Sequence, residues 1–314
     1  MNTAANPLKP ASRPSSGSGR VSAARRSAGT RHSSGRSRRS IPAIMTVVIL
    51  GVLWSIPTFG LLVTSFRSRT DAATSGWWDA LLNPFGTGWT LDNYARLFDG
   101  TTMGSSLVNS VVVAIPATIL PIMFAAFAAY AFTFIEFRGK DILFIAIVAV
   151  MVVPIQVAFQ PMLDLLGPRH LDIAGQYIAV WLLHTGFGMP LAIYVLRNYM
   201  STLPRSVVES AKIDGCSHFQ TFWRLVAPMS IPAIAAFATL QFLWVWNDLL
   251  IAKLFLNSDH KTVIVDLQQL LGSQGQGAEL LTAGAFITMI VPMIVFFTLQ
   301  RFFVRGLTAG SVKG

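Results

Sequence analysis

Charged residues are scarce in this sequence, and cysteine is almost absent. Of the 314 residues, 12% are charged and 53% are hydrophobic, whereas about a quarter of the residues in a soluble domain are charged. The composition therefore excludes an ordinary soluble domain and predicts a membrane protein. A single cysteine, Cys216, excludes an intramolecular disulfide framework.

Motifs for catalysis and metal binding are also missing. The glycine-rich stretch 272–277 lacks the lysine of a phosphate-binding G-x-x-x-x-G-K-[ST] loop, and the five histidines show no metal-ligand spacing. We therefore expect no catalytic residue, no metal and no cofactor in this chain. If ATP drives its activity, hydrolysis must take place on a partner.

Most of the net positive charge lies at the start of the sequence. Residues 1–39 contain nine Lys or Arg and no acid. The rest of the sequence contains fifteen Lys or Arg and 14 acids, so it is nearly neutral. Residues 1–40 have little to bury, so we predict a disordered, basic cytoplasmic tail. We expect it to be solvated and to help fix orientation; contact with anionic headgroups or with RNA is the alternative. For the protein as a whole we expect no nucleic-acid partner.

Six apolar segments follow the tail, each long enough to cross a hydrocarbon core that needs about 20 residues. They predict an all-α, polytopic protein with a transmembrane domain of residues 41–314. The predicted spans are 41–66, 107–135, 142–163, 173–196, 231–256 and 280–299. In the second span, small residues recur at steps of four and predict close packing against a neighbouring helix. They are Ala117, Pro121, Ala125 and Ala129.

An even number of spans places both termini on one side of the bilayer. With the termini inside, eighteen of the 24 Lys and Arg lie on cytoplasmic segments, and nine of fifteen do so without the tail. The positive-inside rule therefore predicts cytoplasmic termini in the cell membrane and a cytoplasmic position for the polar loop 198–230.

The loop 198–230 carries the signals of two short helices separated by a turn. Thr202 is a candidate N-cap for the first helix, and Gly215 follows its last residue, where a left-handed backbone costs little. Ser217 and Gln220 have the spacing of a capping box for the second helix, which Pro228 is expected to end. This order predicts a docking surface; an amphipathic hairpin on the membrane surface is the alternative.

The same loop resembles the EAA loop of ATP-binding-cassette importer permeases, which reads E-A-A, three residues, G, nine residues, I-x-L-P. The corresponding positions are Glu209, Ser210, Ala211, Gly215, Leu225 and Pro228, with mild departures where Ser210 replaces Ala, Leu225 replaces Ile and Ala227 replaces Leu. In that family the loop is a coupling helix that lies in a cleft of the ATP-hydrolysing subunit. The resemblance implies an ATPase-coupling interface formed by these residues together with Asp214.

Further stretches are similar to carbohydrate importers, in particular to the maltose-type inner permease subunit. They are residues 90–94, 109–110, 137–139, 246–247 and 300–314. The resemblance implies a type I importer permease fold and transport of a sugar or oligosaccharide. It also implies a second permease subunit in a heterodimer, two ATPase subunits that hold ATP and Mg, and an extracytoplasmic solute-binding protein. An ATP-independent secondary transporter or channel is the alternative, although the spans contain few charged residues to support it.

Polar and aromatic side chains inside the spans are the candidates for substrate contact. They are Trp244, Trp246, Asn247, Asp248, Gln156 and Gln160. Aromatic faces and amide or carboxylate groups suit the C–H faces and hydroxyls of a sugar. Because Asp248 is the eighteenth residue of a 26-residue span directed outward, an interfacial belt of aromatic residues is the alternative.

The outer loop 257–279 combines a leucine cluster with a tip rich in glycine and glutamine. We expect a short helix followed by a flexible tip that contacts the solute-binding protein. An unstructured connector is the alternative.

Overall fold

The computed structural model of this protein describes residues 41–270 and 277–309, with side chains described as far as Phe302. The predicted tail, residues 1–40, lies outside the described residues. The α-helices are α1 (Ile41–Ser65), α2 (Arg69–Thr74), α3 (Trp77–Leu82), α4 (Asp92–Asp99), α5 (Met103–Phe134), α6 (Lys140–Val150), α7 (Phe159–Leu166), α8 (Tyr177–Met200), α9 (Arg205–Ile213), α10 (His218–Thr221), α11 (Ala227–Met229), α12 (Ile231–Trp246), α13 (Leu250–Phe255), α14 (Val263–Leu270) and α15 (Ala278–Ala309). Two 3₁₀ turns, Ile155–Ala158 and Ser258–His260, and a π-helical turn, Phe222–Val226, complete the described elements.

Four of the described helices are long and apolar enough to cross a membrane: α1, α5, α8 and the Ala278–Phe302 part of α15. Two bent pairs, α6 with Ile155–Leu166 and His218–Met229 with α12, bring the number to six if each pair is one span. The all-α, polytopic fold predicted from the sequence is confirmed.

The third predicted segment, 142–163, is not one straight helix. α6 and the stretch Ile155–Leu166 meet at an angle of 91°. Pro154 explains the break, because proline has no N–H to donate and keeps the residue before it out of the helical conformation.

The fourth and fifth predicted segments also have different bounds. α8 begins at Tyr177 and not at residue 173, because Gly175 has a φ of 89° in the turn before it. The segment 231–256 is divided, since α12 ends at Trp246 and a separate helix, α13, follows. Asp248 lies two residues before that helix, and its carboxylate accepts the Ala252 N–H in the first turn at 2.9 Å.

The chain divides into two compact units after Val52, so each unit contains a part of α1. Residues 41–52 are exposed throughout. In the second part, Gly60, Val63 and Ser65 are buried. The apolar side chains in the first part of α1 are therefore exposed.

The most extensive helix packing in the described chain joins α5 to α8. Ala117, Ala125 and Ala129 of α5 are fully buried, and Pro121 is buried with them. Small side chains let two backbones approach closely, and close packing is what holds helices together where lipid removes the hydrophobic driving force. The small-residue stripe predicted from the sequence is therefore a packed face.

Two prolines in α5 remove backbone donors, and side chains from other helices replace them. Each proline lacks the N–H that would bond to the carbonyl four residues earlier. In both cases a side chain of another helix donates to that carbonyl. The pairs are Trp181 Nε1 to Val112 at 3.1 Å, before Pro116, and Gln241 Nε2 to Ala117 at 3.2 Å, before Pro121.

The segment between α1 and α5 is held by buried polar side chains. Nδ2 of Asn93 in α4 donates to the carbonyls of Ser65 and Arg67, both at 2.9 Å. Arg67 is only 2% exposed and donates to the carbonyls of Asp71 and Ser75 at 2.7 and 3.0 Å. These bonds fix α2 and α4 against the end of α1.

The outer loop 257–279 contains a helix, α14, that is bonded to the start of α5. Thr102 Oγ1 donates to both carboxylate oxygens of Asp266 at 2.9 and 3.0 Å. Lys261 Nζ lies 2.8 Å from the same carboxylate. The short helix expected in this loop is present, and residues 271–276 of the tip lie outside the described part.

We predict that Gln241→Leu lowers the stability of the protein by about 1–2 kcal/mol, because the Ala117 carbonyl then lacks a donor. Pro121→Ala restores the backbone N–H, so Gln241→Leu should have a smaller effect in that background. A double-mutant cycle of unfolding in detergent micelles measures the coupling.

Gln300→Leu is the control for this cycle. Its side chain is exposed and bonds only within its own helix, to the Phe297 carbonyl at 3.2 Å. An equal loss of stability from Gln241→Leu in both backgrounds would show that Gln241 does not replace the missing donor.

Candidate coupling surface and membrane cavity

The loop 198–230 folds as two helical stretches around a left-handed turn. α9 ends at Ile213, and Gly215 has a φ of 78°. A Cβ at this position would meet nothing within 4 Å, so backbone conformation and not space selects glycine. The Ser217 side chain accepts the Gln220 N–H and the Gln220 side chain accepts the Ser217 N–H. The predicted capping box is therefore present.

Two details of this loop differ from the sequence prediction. Thr202 does not cap α9, because α8 extends to Met200 and the Thr202 hydroxyl donates to the Tyr199 carbonyl at 2.7 Å. Pro228 does not end the second stretch, since it lies in the first turn of α11 and the bend comes after it, at Ser230.

The inner side of the loop is packed into the long helices. Phe222 and Val226 are buried, at 3% and 1% exposure, in a cluster with residues of α5, α8 and α12. The ring of Phe127 in α5 lies 4.5 Å from that of Phe222, centroid to centroid. Tyr130 Oη lies 3.0 Å from Nδ1 of His218. The loop is thus a continuation of the helical core.

The outer side of the loop exposes most of the residues predicted for coupling. Those exposed are Glu209, Ser210, Asp214, Gly215 and Pro228. Ala211 is buried and Leu225 is half-buried, so these two shape the loop from inside.

The predicted coupling interface left out exposed apolar side chains of this loop. Ile213 is 87% exposed and Phe219 is 66% exposed. The available signal for Ile213 was its spacing, since it lies four residues after Glu209 and so on the same face of α9. The loop therefore presents acids and apolar side chains side by side, in a combination that suits a protein interface.

A cavity of about 390 Å³, called here the central cavity, lies where α8 and α12 meet the bend of the third segment. Its walls include Pro154, Gly186, Gly188, Gln241 and Trp244. A Cβ on Gly188 would lie 2.8 Å from Gln241 Nε2, so glycine makes room for that side chain. A Cβ on Gly186 would meet nothing within 4 Å, so this glycine leaves open volume.

The structure separates the residues that were predicted to contact substrate. Trp244 lines the central cavity. Trp246 and Asn247 line a different cavity of about 240 Å³, together with residues of α15. Gln156 and Gln160 are exposed and line neither of these cavities. Neighbours in a helical sequence point in different directions, so adjacency did not bring these side chains together. The sequence analysis did not name Gln241 as a candidate for substrate contact, although an amide within an apolar run is a signal that the sequence shows.

Asp248 lies beside a buried histidine. Nε2 of His184 in α8 is 3.7 Å from Asp248 Oδ2, and the His184 ring stands edge-on to Trp244 with centroids 5.2 Å apart. Neither ring nitrogen of His184 has a hydrogen-bond partner among the described residues. An acid and an imidazole therefore lie next to the wall of the central cavity.

Within the described part of the chain, no group of three His, Cys, Asp or Glu side chains is placed to hold a metal ion. The geometry offers an exposed surface with acids and apolar side chains on the loop 198–230, and a cavity with a mainly apolar lining and a few polar groups between the helices.

Comparison with known proteins identifies the family of this chain. Residues 121–309 match the family described as "Binding-protein-dependent transport system inner membrane component". The osmoprotective compounds uptake permease protein GgtD of Synechocystis sp. is 46% identical, over 88% of this chain and 93% of the relative. The alpha-glucoside transport system permease protein AglG of Rhizobium meliloti is 38% identical, over 86% and 96%. The arabinooligosaccharides transport system permease protein AraQ of Bacillus subtilis is 31% identical, over 90% and 99%.

A solved structure has the same fold. It is a bacterial ABC transporter involved in import of the acidic polysaccharide alginate, and one of its chains matches with a TM-score of 0.65 at 20% identity, covering 84% of this chain and 97% of that one. The predicted importer-permease fold is confirmed. The chain therefore belongs to the family of binding-protein-dependent transport system inner membrane components.

Proposed function

We propose that this chain is the permease subunit of an ATP-binding-cassette importer that carries a sugar or oligosaccharide into the cytoplasm. The observation that carries the proposal is the loop 198–230, whose inner side belongs to the helical core and whose outer side is exposed. Relatives named for transport of alpha-glucosides and arabinooligosaccharides support the choice of substrate class.

In this proposal the loop 198–230 faces the cytoplasm and docks onto an ATPase subunit. Glu209 and Asp214 are two acids beside the exposed Ile213. We therefore expect the ATPase subunit to carry an apolar groove with basic residues at its rim. The distribution of Lys and Arg supports the cytoplasmic position of the loop and of both termini.

The remaining partners follow from the same proposal. Two ATPase subunits bind ATP and Mg, a second permease subunit completes a heterodimer, and an extracytoplasmic solute-binding protein delivers the sugar. The chain itself then holds no cofactor. Its task is to convert movement of the docked loop into movement of the spans.

The packing of the loop supplies a route for that movement. Phe222 of the loop packs against Phe127 of α5, and α12 begins directly after the loop ends. Displacement of the loop by an ATPase subunit therefore displaces α5 and α12, the helices that carry Ala117 and Gln241. The central cavity lies beside the second of these helices.

The central cavity is the part of the substrate pathway that we propose for this subunit. Its volume of about 390 Å³ falls in the range of small-molecule sites. Trp244 is 37% exposed and offers an aromatic face to the C–H groups of a sugar, while Gln241 offers an amide. His184 and Asp248 lie behind Trp244.

We predict that Glu209→Ala and Gly215→Pro each lower transport about tenfold or more while the protein still inserts into the membrane. The first removes an acid from the docking surface, and the second cannot adopt a φ of 78°. Sugar uptake and ATP hydrolysis by the complete transporter in proteoliposomes measure the effect.

Two variants serve as controls for the docking assignment. Asp164→Ala removes another exposed acid that lies outside the loop and lines neither the central cavity nor the cavity at the start of α6. Gly215→Asn keeps a residue that tolerates left-handed backbone. Wild-type transport by Glu209→Ala and Gly215→Pro would contradict the docking role, and uptake without ATP would favour a secondary transporter.

We also predict that Gly186→Phe abolishes uptake without loss of folding, because the ring enters the open volume of the central cavity. Ile178→Phe adds an aromatic ring to an exposed position of α8 outside the cavity and should transport normally. Uptake rates are compared with unfolding midpoints. Normal uptake by a stably folded Gly186→Phe protein would place the substrate pathway elsewhere.

A further inference from the structure

A second cavity, of about 430 Å³, lies where α5 and α8 end and α6 begins. We call it the arginine cavity. Its charged lining residues are Glu136, Lys140, Asp141, Arg197 and Arg205. It is separate from the central cavity, and none of its lining residues is among those assigned to coupling, although Arg205 lies in the loop 198–230.

Arg197 is a half-buried cation without an acidic partner in the described chain. The carbon of its guanidinium lies 4.3 Å from the centroid of the Phe144 ring. Its Nε is buried and has no hydrogen-bond partner among the described residues. A partly buried charge with unsatisfied donors is unfavourable unless an anion pairs with it. The geometry therefore calls for an anion that is not part of the described chain.

The other charged side chains of the lining do not neutralise the arginines fully. Lys140 is held by Glu136 at 3.1 Å, so this pair is neutral. Arg205 is exposed and, within the described residues, forms no ion pair. Asp141 lies in the first turn of α6 and partly offsets the two arginines. Two guanidinium groups thus remain for a ligand with several acceptor oxygens.

We infer that the arginine cavity binds the phosphate group of an anionic phospholipid of the cytoplasmic leaflet. This inference rests on the cytoplasmic orientation in the proposed function. Guanidinium groups bind phosphate oxygens through paired N–H donors. Basic pockets between spans on the cytoplasmic side are a favourable place for acidic lipid headgroups.

The apolar surface next to the cavity favours a lipid as the ligand over a soluble anion or an acidic side chain of a partner. Ile142 lines the cavity and is 77% exposed. Leu143 and Ile145, which follow it on α6, are 50% and 65% exposed. These side chains form an apolar surface that continues from the basic cavity along a span. An acyl chain covers such a surface, and a free phosphate does not.

The test uses the complete transporter in nanodiscs that contain equal amounts of phosphatidylglycerol and phosphatidylcholine. Native mass spectrometry after mild delipidation counts the retained lipids. We expect retention of phosphatidylglycerol to weaken about tenfold in Arg197→Gln and in Arg205→Gln, since each loses one charge-assisted contact. Arg138→Gln is the control, because Arg138 is exposed nearby but does not line the cavity.

Each other outcome overturns the inference. Equal retention in all three variants shows that no specific lipid occupies the cavity. In parallel samples with added inorganic phosphate, loss of bound phosphate with unchanged phosphatidylglycerol makes the cavity a site for a soluble anion. Loss of the ATPase subunits with unchanged lipid assigns the arginines to that partner. Arg205→Gln alters an exposed side chain, so it remains informative if Arg197→Gln does not fold. Glu209→Ala tests coupling independently of this result.

Discussion

A carbonyl group inside a bilayer has no water to bond to, and two carbonyls of α5 depend on side chains from other helices. Trp181 of α8 and Gln241 of α12 occupy the positions of backbone donors that prolines lack. These bonds tie α8 and α12 to α5 in a fixed register. The central cavity lies between the same two helices, so its walls are placed by the requirement to satisfy the α5 backbone.

Features that depend on neighbouring residues were predictable from the sequence. The left-handed turn at Gly215 and the capping box of Ser217 and Gln220 are local, and the structure contains both. The apolar runs predict an all-α fold, which the structure has, but hydropathy counts apolar residues without regard to direction. It therefore missed the breaks at Pro154 and after Trp246.

The grouping of polar side chains was not predictable, because it depends on how helices pack. Trp244 and Trp246 are two residues apart, yet they line different cavities. Gln241 belongs with Trp244, and His184 comes from another helix 60 residues earlier in the chain. The exposed surface of the loop was easier to predict, since charge and helical spacing decide which side chains face outward.

Several stretches that resemble carbohydrate importers have a structural role in this chain. Asn109 Nδ2 donates to the carbonyls of Asp259 and Lys261, at 3.0 and 3.1 Å. Its neighbour Ser110 accepts the N–H of Val263 at 2.8 Å. These residues anchor the segment that leads into α14.

α5 carries an attachment at each of its ends. Thr102, directly before its first residue, bonds to Asp266 of the outer loop, and Phe127 and Tyr130 near its other end contact the loop 198–230. A helix of 32 residues is about 48 Å long at a rise of 1.5 Å per residue. The two loops are therefore attached to opposite ends of the same helix. If α5 tilts about its middle, the two loops move in opposite directions.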